Sequence, residues 1–229
     1  MKQNEISSNT QPDNSIVDNI GDDHVGSSYD TPLRKDAFEK SDDEKIEIIE
    51  GHFTEIMKTL GLDLTDDSLK GTPRRVAKMY VQEVFSGLNP INKPEARLFE
   101  NKYKYSEMLV EKEITFYSHC EHHFVPIYGK AHVAYISSGE VIGLSKINRI
   151  VQYYAKRPQV QERLTVQIGR ELEKALKTKD VGVVIDATHL CVASRGVGDT
   201  NSMTGTAYFS GRFEEDQIKN EFLNYINSK

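Results

Sequence analysis

The sequence predicts an α+β fold, and three observations predict it. Helix-period stripes and strand-like runs come in blocks: helices, two strands, two helices, two strands. The two strand pairs read as hairpins, so the sheet they build is antiparallel. The helices between them each carry one apolar face, which suits a sheet covered on one side. The uncovered face and the edges then need partners, and this favours a homo-oligomer.

The elements follow in order. Residues 1–38 are rich in Asn, Asp, Ser and Gly and read as a disordered, polar, acidic tail. Ser41 caps a helix that opens with Asp42-Asp43-Glu44. Ile46, Ile49, Phe53, Ile56 and Leu60 form its stripe, and Gly61 ends it. Thr72-Pro73 starts a second helix, with Val76, Tyr80 and Val84 on one face and Gly87 at its end. Residues 88–108 form a Pro- and Asn-punctuated connection, which closes an N-terminal helical region at 39–108. Glu113 to Ser118 and Tyr128 to Ile136 are strands of a domain spanning 109–229. Gly143-Leu144-Ser145 leads into a helix with Ile147, Ile150, Val151 and Tyr154 inward, broken at Arg157-Pro158. A helix over 159–177 carries Leu164, Ile168, Leu172 and Leu176. Val181 to Ile185 is a buried strand heading towards Thr188–Ala193. A strand over 205–213 and a short polar helix finish the chain.

Bulk properties exclude several classes of function. The chain has 229 residues, 29 Lys+Arg against 35 Asp+Glu and a net charge of -6, so its surface as a whole repels nucleic acid. An anionic ligand therefore needs a locally basic pocket. No apolar run approaches the ~20 residues of a membrane span. The first thirty residues lack the apolar core of a secretory signal, which points to a reducing cytoplasm.

Two segments carry the chemistry. Cys120-Glu121-His122-His123 and Thr188-His189-Leu190-Cys191 hold both of the chain's cysteines, each within three residues of imidazoles. Cys120-x-x-His123 has the spacing of a turn that aims both side chains at one metal, and Cys191 can supply a third ligand. Three protein ligands leave one position open, as a catalytic zinc requires. On an extended segment His189 and Cys191 point to the same side, so His189 and His122 stand beside the metal for proton transfer. A Cys120–Cys191 disulfide, or two buried thiols beside surface histidines, are the alternatives that spacing leaves open. Ser145, Lys146 and Arg149 sit at a helix start, where cations oppose the dipole unless an anion binds. Two solvated basic residues would read the same way. Arg195 places a further cation near Cys191. Gln161-Glu162 lies in the first turn of its helix. The Glu serves there as a cap or as a partner for two adjacent N–H donors, such as a guanine edge offers.

These motifs together resemble the GTP cyclohydrolase I family. The match runs through residues 118–126, residues 142–151, residues 157–165 and Thr188-His189-Leu190-Cys191 with Arg195-Gly196, and residues 71–77 resemble the family's N-terminal helical region. The resemblance covers roughly residues 42–213, with four motifs in the right order. It implies a tunnelling fold and a homodecamer with active sites at subunit interfaces. It also implies ring opening of GTP, release of C8 as formate and closure to 7,8-dihydroneopterin triphosphate, a first step of folate or pterin biosynthesis. By motif position Cys120, His123 and Cys191 would hold Zn2+, and His122 and His189 would move protons. Gln161 and Glu162 would read guanine, and Ser145 would contact the ribose. Lys146, Arg149 and Arg195 would bind the triphosphate, and Arg75 would reach in from a neighbouring subunit. One stretch departs from the family's Ser/Thr-rich run: Asn201-Ser202-Met203-Thr204-Gly205-Thr206, which is expected to touch none of these residues.

Overall fold

A computed structural model describes residues 28–228, so most of the expected tail, 1–27, lies outside the described residues. Helix α1 (Asp42–Thr59) starts at Ser41, whose hydroxyl accepts from the Glu44 amide while the Glu44 carboxylate accepts from the Ser41 amide. Its stripe is only partly covered. Ile46 is buried and Ile49 and Phe53 are half-buried, but Ile56 and Leu60 are exposed and Met57 is buried instead. Helix α2 (Thr72–Lys78) widens into a π turn over Met79–Val84 and then a 3-10 turn over Ser86–Leu88. Gly87 marks the anchor of this region. Its amide donates to Lys156 O, and a Cβ there would lie 2.0 Å from Tyr153 O, so only glycine allows the approach.

The body is a five-stranded sheet in the order β5-β2-β3-β6-β7. Its strands are β2 (Met108–Cys120), β3 (Pro126–Ile136), β5 (Pro158–Gln159), β6 (Val181–His189) and β7 (Thr204–Ser210). A separate antiparallel ladder joins β1 (Leu98–Glu100) to β4 (Glu140–Ile142). The pairs β2–β3, β3–β6 and β6–β7 are antiparallel, as expected. The short β5 runs parallel to β2, setting Gln159 opposite Cys120. A bulge in β2 puts Glu113 at φ 62.

Helices α3 (Leu144–Ala155) and α4 (Gln161–Leu176) cover one face of the sheet, and the main core lies between them and it. The last helix, α6 (Asp216–Asn227), is less polar in role than its sequence suggests. Phe222 is fully buried with Phe213, Met108 and Ile136 in a second cluster at one end of the sheet. The last strand also stops at Ser210, earlier than expected, where a 3-10 turn takes Phe213 into that cluster. Within the chain the rest of the second face stays open, with Tyr117 and Tyr128 stacked on it, 64% and 41% exposed.

Candidate active site

The Cys120–Val125 turn is closed by two bonds: Phe124 N donates to Cys120 O at 2.8 Å and Cys120 N to Val125 O at 2.9 Å. Phe124 takes φ 53, a costly conformation for a bulky residue and one characteristic of functional turns. The turn gathers Cys120 and His123. Cys191 arrives differently from the sequence expectation, because β6 ends at His189 and Leu190–Ala193 form one helical turn, α5. The helical step carries Cys191 towards the other two ligands, and all three donor atoms lie within 4.8 Å of one another. His189, the last strand residue, points instead to Gln161, with Nε2 2.7 Å from Oε1. Both cysteines are free, which removes the disulfide alternative from this arrangement.

The donor set suits zinc: two sulfurs and one imidazole, with a fourth position open. Burial pushes the Cys191 thiol up to about 11, with the adjacent Cys120 sulfur adding to the rise and Arg195 opposing it. Two neighbouring thiols in such a place ionise together only when a cation joins them. Arg195 Nη1 lies 3.1 Å from His123 Nε2 and 3.3 Å from Cys191 O, so its charge rests over the ligands.

A cavity of about 420 Å³ opens beside this cluster, lined by Cys120, His122, Gln161, Glu162, His189 and Cys191 among others. Val160, the N-cap of α4, has no capping side chain, so the helix start faces the cavity with its charge end uncapped. Glu162 is exposed at this rim. Burial pulls His189 below its ordinary 6.5, and the Glu162 carboxylate offsets part of that shift. His122 Nδ1 is 3.7 Å from Cys120 Sγ.

The Gln161 side chain is engaged inside the fold. Its Nε2 donates to Ile185 O, Thr204 O and Thr206 Oγ1, and its Oε1 faces His189. The atypical 201–206 stretch therefore does touch an assigned residue, since two of those acceptors start β7. Ser145, Lys146 and Arg149 are not brought to the cavity by their own chain. Ser145 and Lys146 stand in the first turn of α3, a helix about 18 Å long whose far end leads to Pro158 and Gln159 beside Cys120, and Arg149 lies half-way along it instead of at the expected helix start. Arg149 lines a separate depression with Ser86, Asn92 and Lys156. Arg75 donates to Ser68 O and Thr72 Oγ1 and also lies apart from the cavity.

Three polar residues went unassigned in the sequence. Arg163, with a side chain 2% exposed, forms a forked pair with Glu121. Gln159 donates to Tyr154 O and Gln167 Oε1, and its backbone oxygen accepts from Glu121 N at 3.0 Å. Their spacing was a usable signal. Positions 159, 163 and 167 repeat every four residues, a polar row beside the apolar row at 164, 168, 172 and 176.

The family model described as GTP cyclohydrolase I matches residues 49–227. The chain belongs to the GTP cyclohydrolase I family. The GTP cyclohydrolase 1 of Flavobacterium johnsoniae is 64% identical over 211 residues, covering 92% of this chain and 95% of that protein. The Escherichia coli GTP cyclohydrolase 1 is 53% identical over 203 residues, 88% of this chain and 91% of its own. Among solved structures, the archaeosine synthase QueF-Like in the apo form matches 47% of this chain and 97% of its own at 19% identity, with a TM-score of 0.40. Membership makes the chain a hydrolase acting on cyclic amidines, and the antiparallel sheet with α3 and α4 on one face agrees with the tunnelling fold. No helix among the described residues is long and apolar enough to cross a membrane.

Proposed function

We propose that this chain is a zinc-dependent GTP cyclohydrolase I that opens the imidazole ring of GTP, releases C8 as formate and yields 7,8-dihydroneopterin triphosphate. The observation that carries the reading is the convergence of Cys120, His123 and Cys191 at a cavity that also holds His122, His189 and Glu162. Cys120, His123 and Cys191 would hold the zinc, which when bound would supply a water acidic enough to attack at neutral pH.

The remaining work falls to the chain's own side chains. Gln161 Nε2 is committed to three acceptors, so the hydrogen-bond network assigns its Oε1 to accept from His189 Nε2–H. His189 then keeps Nδ1 to take or give a proton, and its lowered pKa leaves the ring neutral at pH 7. His122 is the second proton carrier, at the imidazole nitrogens and in the later rearrangement of the sugar. Glu162 at the cavity rim accepts from the guanine edge, with Gln161 acting on recognition through the placement of its helix start. Arg195 binds the triphosphate next to the ligands.

Ser145, Lys146, Arg149 and Arg75 complete the site from other copies, Ser145 at the ribose and the three cations at the triphosphate. Their distance from the cavity of their own chain supports this, as does the incompletely covered stripe of α1. The assembly is a homo-oligomer, a decamer on the family pattern. The helical region at 39–108 serves it and the domain at 109–229 carries the cavity. The protein works in the cytoplasm on GTP, with no nucleic acid or membrane partner. Incubating the zinc-loaded protein with GTP yields formate and, after oxidation, a fluorescent pterin, and chelation stops both. Zinc-loaded protein that produces neither refutes the reading.

A further inference from the structure

Residues 28–33 run as a strap along the start of α4, next to the cavity. Arg163 Nε donates to Ser28 O at 3.0 Å, and Gln167 Nε2 donates to Tyr29 O at 3.1 Å. The Arg170 guanidinium lies 4.1 Å from the centroid of the Tyr29 ring. Thr31, Pro32 and Leu33 share the wall of a cleft of about 440 Å³ with Glu121, His122 and Pro158. A stretch that reads as solvated tail is thus held by a carbonyl on a buried arginine, a carbonyl on a buried glutamine and a ring under a cation.

The arginine is the important link. A guanidinium buried this fully is costly unless its donors find acceptors. Here the fork goes to the Glu121 carboxylate and Nε goes to the strap. Glu121 in turn lies between Cys120 and His122, and its Oε1 is 3.9 Å from His122 Nε2. Removing the strap would leave Nε–H without an acceptor inside the protein, and the ion pair would shift to find one. His122, 3.9 Å from Glu121 Oε1, would lose its fixed neighbour while Cys120 and His123 stay in place.

We propose that residues 28–33 are a working part of the active site: a strap that, through Arg163 and Glu121, positions His122 for proton transfer. This rests on the reading of His122 as a proton carrier. Arg163 and Glu121 are positioning residues, since they act through His122.

The test compares the chain lacking residues 1–27 with the chain lacking residues 1–33. Metal content, oligomer size and GTP turnover are measured for both. Loss of the strap should lower kcat by about tenfold or more, the scale of a slightly misplaced catalytic group, while KM for GTP and zinc content hold steady. Arg163→Lys, which keeps the charge but loses the fork, should show the same split between kcat and KM. If the shorter chain does not fold, Arg170→Ala is read in its place. It removes only the exposed cation over Tyr29, and kcat should drop about two- to threefold at unchanged KM. If the chain lacking 1–27 is active and further removal of 28–33 leaves kcat unchanged, the strap proposal is overturned alone. A fall in zinc content that accounts for the lost turnover also overturns it. If the full zinc-loaded chain releases no formate from GTP, the functional reading falls and takes the strap with it.

Discussion

The two ends of the main sheet are built on opposite principles. At the end where β2 reaches Cys120, buried polar atoms are tied together: Gln161 to His189 and β7, Gln159 to Gln167, Arg163 to Glu121 and the strap. At the end where α3 begins, Ser145 and Lys146 stand in a first turn with no acidic residue, and Arg149 is exposed one turn further on. On the proposed reading the first end is a preorganised half-site for a metal and a base, and the second an anion half-site, where Lys146 opposes the dipole of its own helix until a phosphate arrives. Within one chain Ser145 and Lys146 open α3, Arg149 lies half-way along it, and none of the three lines the cavity. On that same reading, the catalytic unit would be one end of one copy facing the other end of another.

The largest effect should come from separating the halves. Cys191→Ser destroys the metal half, and the double variant Lys146→Ala, Arg149→Ala destroys the anion half. Each alone should fall below about 1% of normal turnover. Mixed oligomers of the two should recover activity at roughly a quarter of their sites, because random pairing joins two intact halves that often. Mixed oligomers that stay inactive would break the shared-site picture.

A smaller effect sharpens the metal-and-base end. Glu162→Ala should cost about 2 kcal/mol, roughly thirtyfold in kcat/KM for GTP, the scale of a charged hydrogen bond, with zinc content unchanged. Unchanged kinetics would remove Glu162 from guanine recognition and return it to helix capping.

The smallest effect concerns a histidine buried on the second face of the sheet, between the two ends. His132 is 2% exposed there, near Glu113, Lys112 and Lys130, with Asp186 across the strand pair. Burial holds its pKa below the ordinary 6.5, although Glu113 and Asp186 pull the other way. The unfolded chain then binds a proton that the folded chain refuses, so stability present above about pH 6.5 is lost as pH falls. His119 and His189 are depressed by burial in the same direction. Thermal melts at about pH 7.5 and about pH 5.5 should show this loss, and His132→Gln should shrink the difference by about 1–2 °C. An undiminished difference in the variant would assign the loss to other groups.

Much of this was legible in the chain itself. Apolar periodicity placed α1, α3, α4 and the central strands, because a stripe with a 3.6-residue or two-residue period can be buried in only one way. Ligand spacing singled out Cys120, His123 and Cys191, because a tight turn and a soft metal both demand specific residue types. Other features depended on neighbours distant in sequence. That the Gln161 side chain bonds to Thr204, Thr206 and His189 followed from the pairing of β6 with β7. Whether residues 28–38 are tail or strap depended on buried donors at Arg163 and Gln167, more than 130 positions away. The extended path expected through Cys191 gave way to a helical turn after His189.

The sequence by itself determined the main helices and strands, the covered face and a candidate set of metal donors, because these follow from local period and residue chemistry. The tertiary structure alone decided which polar atoms satisfy one another, and which basic residues lie out of reach of their own cavity. Hydrogen bonds in the interior are set by what the fold brings within about 3 Å, and the order of residues along a chain does not specify that distance.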